Sequence, residues 1–349
     1  MNRHERRRLG KQGGRAATPA PARSGGGRAT AISDFLLAQA GQGQVAVSFD
    51  DLAPVKADPL AAAAAAQRRS AELGAEVARL EASLATTPDP AATLVMLARL
   101  HLELKAPDRA LECYRSALEL APERTELAHS IAALGGAAAP DRCSDAYVRD
   151  LFDRFARTFD DTLGHWLDYR APEALRALVD RALATARRDG LAIVDLGCGT
   201  GLSGRAFRSL AARLDGIDLS PGMLAKAQGR NLYDDLHEGE IVAVLGERPA
   251  AYDLAIATDV LIYIGDLGPL FAATRGALRP GGLFAVSIEA VEAEGFVLTP
   301  SGRYAHGDAY VRATARAAGF DLVLTETSTL RTEDGKPVAG RLYAFRKTS

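Results

Sequence analysis

The sequence predicts an α/β sheet domain preceded by a small all-α block. Three observations carry that prediction. From residue 141 onward, short apolar runs alternate with helical-period segments, the pattern of an α/β sheet. From 57 to 136 the chain is rich in alanine and leucine and reads as helix throughout, with Pro54, Pro88 and Pro122 spaced 34 residues apart, a repeat-like period. Between the two lies Gly135-Gly136-Ala-Ala-Ala-Pro140, a breaker run that marks a boundary. A length of 349 residues, 48% hydrophobic and 25% charged, accommodates two such units and is ordinary for a globular protein. No run of 18 apolar residues is present to span a membrane. The three cysteines, Cys113, Cys143 and Cys198, have no paired spacing, which argues against a disulfide scaffold or a zinc site and for a reducing cytosol. No signal peptide is expected at the start.

The first 30 residues hold eight Arg/Lys and one acid, a balance of +7 inside a chain whose formal net charge is −2. Rich in Gly, Pro and Arg and poor in apolar side chains, this stretch cannot bury enough surface to order itself, and a disordered basic tail is expected. It reads as a solubilising tail; an arm for nucleic acid is the alternative, disfavoured because no aromatic residue is interleaved for base stacking. Residues 31–56 form a linker with one short helix capped at Ser33. Within 57–136, the stretch 91–124 resembles a tetratricopeptide repeat at Leu94, Leu97, Ala98, His101, Ala110, Tyr114, Ala117 and Pro122. The small Ala98 and Ala110 let two helices approach, Pro107-Asp108 makes the turn, and Pro122 ends the second helix. The preceding unit keeps only Leu80, Ser83 and Pro88 in register, and 125–135 reads as a lone capping helix. So short an array cannot bury its apolar face alone. It dimerises the chain or packs on the second block, or else offers a groove to a partner's peptide.

In the second block, 141–349, helices are expected at 144–163 and 171–188, then a strand at 191–196, a helix at 202–212, a strand at 214–218 and a helix at 221–229. A short strand at 235–238 follows, then a strand at 252–258, a helix at 267–278 and a strand at 282–289. A helix at 307–318 precedes two last strands, 320–330 and 340–346, around the turn Glu333-Asp334-Gly335-Lys336.

The chemistry concentrates in Leu191-Ala-Ile-Val-Asp195-Leu-Gly197-Cys-Gly199-Thr-Gly201, a strand ending in alternating glycines before a helix. Glycine there permits positive φ and a close ligand approach, and the free N–H groups of the next helix can bind a polar group. Gly199-Thr-Gly201-Leu-Ser-Gly204 spells a dinucleotide fingerprint, but it begins two residues late. Asp195 before the first glycine would repel a pyrophosphate and would attract the sulfonium and ammonium of S-adenosylmethionine. Asp218, at the end of the next strand, can accept from both ribose hydroxyls of either cofactor; capping the helix at Pro221 is the alternative.

These stretches, with Gly216-Ile-Asp218-Leu-Ser-Pro-Gly-Met223-Leu, Tyr252-Asp253-Leu-Ala-Ile-Ala-Thr-Asp259 and Leu278-Arg-Pro-Gly-Gly282, make residues 141–349 resemble the class I S-adenosylmethionine-dependent methyltransferases. With the repeat at 91–124, the chain from about 57 looks like the tetratricopeptide-containing methyltransferases. The resemblance implies a Rossmann-like sheet of seven strands, the last antiparallel, and S-adenosylmethionine as cofactor. It sets Gly197, Gly199 and Gly201 against the methionine part, Asp218 on the ribose, and Leu219 and Met223 on the adenine. Glu240, followed by Ile241, takes the place of an acid that accepts from the adenine amino group, and Asp259 lies beside the methyl. Arg170, just before a helix, can reach the cofactor carboxylate.

The acceptor is narrowed by exclusion. No Asn-Pro-Pro-Tyr-like segment follows the fourth strand, no Pro-Cys nucleophile exists, and no His/acid cluster has metal spacing. The helix with Phe152, Phe155 and Phe159 either packs in the core or covers the cofactor. His306, after the fifth strand, titrates near neutrality and is the candidate base, with His165, Asp259 and Tyr263 as alternatives. The expectation is methyl transfer to an O or N atom of a small molecule. A protein methyltransferase whose repeats present the target, or a scaffold that binds the cofactor without turnover, are the other readings. Neither a membrane nor a nucleic-acid partner is expected.

Overall fold

A computed structural model describes residues 59–157, 159, 169–183, 190–333 and 336–348. The basic tail, the linker, His165 and the tip of the last turn lie outside the described residues.

Among the described residues, the N-terminal part is four helices: α1 (Pro59–Ser83), α2 (Pro90–Glu103), α3 (Pro107–Leu120) and α4 (Thr125–Ala133). Asp89 caps α2, its side chain accepting the Ala92 N–H at 2.9 Å, with Pro90 at the first turn. Ala98, Ala110 and Ala117 are fully buried, which lets α2 and α3 lie against each other with Tyr114 between them and Leu127 and Ile131 of α4 closing the cluster. The turn between α2 and α3 is made by Lys105 at φ 58, and Pro107 starts the helix after it. The unit before it is a single 25-residue helix, α1, not a second helix pair.

Next come α5 (Asp145–Phe155) and α6 (Ala171–Leu183), then β1 (Leu191–Leu196), α7 (Leu202–Phe207), β2 (Ala211–Asp218), α8 (Pro221–Gly229) and β3 (Asp235–Glu238). They are followed by α9 (Ile241–Gly246), β4 (Tyr252–Ala257), α10 (Gly268–Ala277) and β5 (Leu278–Glu289). The chain ends with β6 (Phe296–Leu298), β7 (Tyr304–His306), α11 (Asp308–Ala317), β8 (Phe320–Glu333) and β9 (Lys336–Lys347). Among the described residues, seven strands form one sheet in the order β3-β2-β1-β4-β5-β9-β8, parallel from β3 to β5, with β9 running antiparallel between β5 and β8. The seven-stranded, Rossmann-like sheet is the expected fold.

Ile193, Val194, Leu196, Leu254 and Ile256 are fully buried, as central strands covered on both faces require. One face packs on α6 and α7 through Leu175, Leu178, Val179 and Phe207. The other packs on α9, α10 and α11 around Phe271, which meets Phe284 edge-on at 5.1 Å and Phe345 at 5.6 Å. From the adjacent β1 and β4 the chain departs to opposite sides of the sheet, which opens a crevice at their carboxyl ends.

The small hairpin β6–β7 pairs Phe296 with His306 and Leu298 with Tyr304. It was not foreseen, nor was α9. The hairpin packs on the N-terminal helices: Leu298 and Tyr304 cluster with Ala132, Ala133 and Cys143, and the His129 ring donates to the Gly302 carbonyl at 2.8 Å.

Candidate active site

The crevice is a cleft whose floor is the loop after β1. Gly197 has φ +65, and a Cβ there would come within 2.5 Å of Val260, so the loop seats tightly on the segment after β4. Gly199, at φ +52, faces open space; its bare backbone lines the cleft. Asp218, at the end of β2, fixes this loop. One carboxylate oxygen accepts the Gly199 N–H at 2.8 Å and the other the Ser220 N–H at 2.9 Å. Burial raises its pKa, and those backbone N–H groups pull the other way. A carboxylate has about four lone-pair sites, so it keeps accepting capacity for a ligand hydroxyl. Leu219 and Ile241 supply apolar wall. Glu240 caps α9, accepting the Ala243 N–H at 3.0 Å, and also takes Arg142 at 3.1 Å. Bare glycine backbone, a paired-oxygen carboxylate and apolar walls together fit S-adenosylmethionine: Gly197 and Gly199 would hold its methionine part, Asp218 its ribose, and Leu219, Glu240 and Ile241 its adenine.

Away from the glycine loop the cleft is lined by Val148, Phe152, Phe159, Ile262 and Tyr263. Phe152 meets Tyr263 edge-on at 5.4 Å and Phe159 at 5.9 Å. The two readings of the aromatic helix therefore divide by residue: Phe155 packs in a core with Leu151 and Met223, whereas Phe152 faces the cleft. Tyr169, Asp259, Arg303 and Arg331 complete the wall. Arg331 donates to Asp259 Oδ2 at 3.2 Å and to Glu289, which also accepts Arg303 Nε at 2.8 Å. Asp259 sits at φ 57, its N–H held by Ser287 Oγ at 2.9 Å. Burial raises its pKa against the opposing pull of Arg331. Burial likewise drives the phenols of Tyr169 and Tyr263 upward, so both stay neutral donors.

Gly197, Gly199, Asp218, Leu219, Glu240, Ile241 and Asp259 thus share one cleft, and the other sequence candidates stand elsewhere. Asp195 is 1% exposed beneath the loop and accepts the Tyr233 hydroxyl at 2.6 Å; burial pushes its pKa up to about 7. It supports the loop and does not line the cleft. Gly201, at φ +94, packs against Tyr233, where a Cβ would come to 3.1 Å. Met223 is fully buried under α5. Arg170 is exposed beside the cleft, and its neighbour Tyr169 takes the wall position.

His306 requires the largest correction. It is fully buried in β7, donates from Nε2 to the Ile264 carbonyl at 2.8 Å and stacks on Tyr310. Burial lowers its pKa and keeps it neutral. It ties the hairpin to the segment after β4 and is not in the cleft wall, so it cannot meet an acceptor as a base. The cleft residues missed from sequence include Arg142, Cys143, Arg303 and Arg331. Arg303 lies three residues before His306, close to the candidate base; Arg331 had no local signal, since only the pairing of β8 with β9 brings it inward.

Residues 194–284 match the family described as a methyltransferase domain. The chain is 29% identical over 155 residues to a ubiquinone biosynthesis O-methyltransferase of Xylella fastidiosa strain 9a5c, covering 42% of this chain and 62% of that one. It is 32% identical over 149 residues to the enzyme of the same name from Methylobacterium sp. strain 4-46, covering 38% and 59%. The chain thus spans about three fifths of the length of these relatives. Among solved structures, an S-adenosylmethionine dependent methyltransferase from Mesorhizobium loti is 25% identical with a TM-score of 0.41, covering 52% of this chain and 99% of that one.

Proposed function

We propose that the chain is a class I S-adenosylmethionine-dependent methyltransferase that methylates an O or N atom of a small molecule. The observation that carries this reading is Asp218: its carboxylate holds the Gly199 N–H and still faces the cleft, beside a glycine loop matched by a methyltransferase family. The O-methyltransferase names of the relatives favour a small acceptor over a protein. When bound, S-adenosylmethionine supplies a methyl group activated on a sulfonium. The protein's part is to hold the reactants in line and keep water out, which supplies much of the rate in such a displacement. Phe152, Ile262 and Tyr263 do the excluding. Asp259 is the carboxylate placed to take a proton from a protonated acceptor.

The helices α2 and α3 read as one tetratricopeptide-like pair, and α4 as its cap. Their packing on the β6–β7 hairpin supports a role within the chain ahead of a groove for a partner. Three free thiols suit a reducing cytosol.

Calorimetry tests the cofactor assignment. S-adenosylhomocysteine binds and NAD does not; comparable NAD affinity would sink the reading. Asp218→Ala weakens S-adenosylhomocysteine by about 2–4 kcal/mol, since it removes two charge-assisted hydrogen bonds to the ribose. Turnover is read by incubating the protein with methyl-labelled cofactor and a cell extract. Label is expected in the small-molecule fraction, and label confined to protein would support the second reading.

A further inference from the structure

Two buried guanidiniums share one carboxylate in the cleft wall, and one of them, Arg331, also bonds Asp259. Arg303 is 4% and Arg331 1% exposed, and both reach the same oxygen, Glu289 Oε1. They come from separate places: Arg303 precedes β7, and Arg331 lies on β8. Burying two cations together is costly, and these two are not closed off from the cleft. Here both arginines line it, next to Val148, Phe152, Ile262 and Tyr263.

We propose that the methyl acceptor is an organic acid, a flat apolar molecule whose carboxylate seats on Arg303 and Arg331 while its body lies against Phe152 and Tyr263. The inference rests on the methyltransferase reading of the same cleft and adds the acceptor's chemical class. A planar carboxylate matches guanidinium geometry better than any neutral group of its size. Glu289 is shared between the two cations and Asp259 pairs with Arg331, so the wall is charge-balanced as it stands, and a carboxylate is recognised here by the paired guanidinium N–H donors and their planar geometry. In so dry a wall, an amide in place of the acid forfeits the charge-assisted bonds.

The test uses the full chain at pH 7.5, with and without saturating S-adenosylhomocysteine, titrated with benzoate and hexanoate and with their uncharged amides. Acids are expected to bind at least tenfold more tightly than amides. Arg303→Gln should weaken acid binding tenfold or more, Arg303→Lys should restore part of it, and both should leave S-adenosylhomocysteine affinity within twofold of wild type. Arg331→Gln is read the same way if its far-ultraviolet spectrum shows that it folds. Equal binding of acids and amides, no binding of either acid, or acid affinity indifferent to Arg303→Gln overturns the proposal and leaves the cofactor assignment standing. Failure of S-adenosylhomocysteine to bind overturns the methyltransferase reading instead, and the titrations without it still read the arginine pair.

Discussion

Asp195 shows how far a residue's role is set by what covers it. Its position before the first glycine suggested a direct electrostatic contact with the cofactor. Instead it is buried beneath the loop with the Tyr233 hydroxyl on it. Its folded pKa, about 7, lies well above the usual carboxylate value. The folded chain therefore binds this proton more tightly than the unfolded chain. That contribution to stability is complete below about pH 4 and is lost as pH rises toward 7. Asp195→Asn, which keeps an acceptor for Tyr233, should raise the ligand-free melting free energy at pH 8 by on the order of 2–4 kcal/mol, with little change at pH 4. Denaturant titrations at both pH values check this. The glycines of the same loop were legible because their chemistry is local: positive φ and a bare backbone are requirements a sequence states outright. Arg331 was not, because it acquires its partners only across the sheet.

At the scale of elements, period and breakers located β1 to β5, α8 and α10 to within a few residues. The errors have physical causes. The run 202–212 splits because the helix tightens into a 3-10 turn at Arg208–Leu210 and the next strand starts at once. The hairpin β6–β7 has only three residues per strand, too few to show alternation. The helix pair α2–α3 was readable from its small residues, and this can be checked. Ala110 is fully buried where the two helices meet, so Ala110→Leu should cost about 1–3 kcal/mol by overpacking, seen as a lower melting temperature. Two neutral histidines staple the hairpin, His129 to Gly302 and His306 to Ile264, and burial lowers both pKa values. Their sign is opposite to that of Asp195. A depressed folded pKa gives stability that is present above the unfolded value of about 6.5 and lost as pH falls below it. Loss of stability between pH 6.5 and 5 should shrink in a His129→Gln, His306→Gln double variant, with thermal melts across that range as the measurement.

For the whole molecule, all seven strands of the main sheet and the cofactor loop belong to the block after residue 141. The strands and the Asp218 loop are indeed complete without the helices. The contacts of α4 make a more specific forecast. A chain starting near Ala139 should bind S-adenosylhomocysteine with wild-type affinity, yet it loses the His129 bond to Gly302 and uncovers Leu298, Tyr304 and Cys143. Increased binding of a hydrophobic dye, and hydrogen exchange in residues 296–306 faster than in the full chain, are expected; unchanged exchange there would contradict it.

The His129–Gly302 bond also has a thermodynamic meaning. Gly302 directly precedes Arg303, so the backbone that aims one cleft arginine is held from outside the sheet block. Any ligand whose affinity depends on that aim is therefore linked to whatever stabilises or displaces α4. Linkage is symmetric: a binder on the helices that changes affinity in the cleft by some factor must have its own affinity changed by the same factor when the cleft is filled. One hydrogen bond of about 0.5–1.5 kcal/mol net limits its share of that factor to roughly two- to twelvefold. A binder on the helices would thus modulate the cleft weakly and reciprocally through this bond, with a strength bounded in advance by the contact that transmits it.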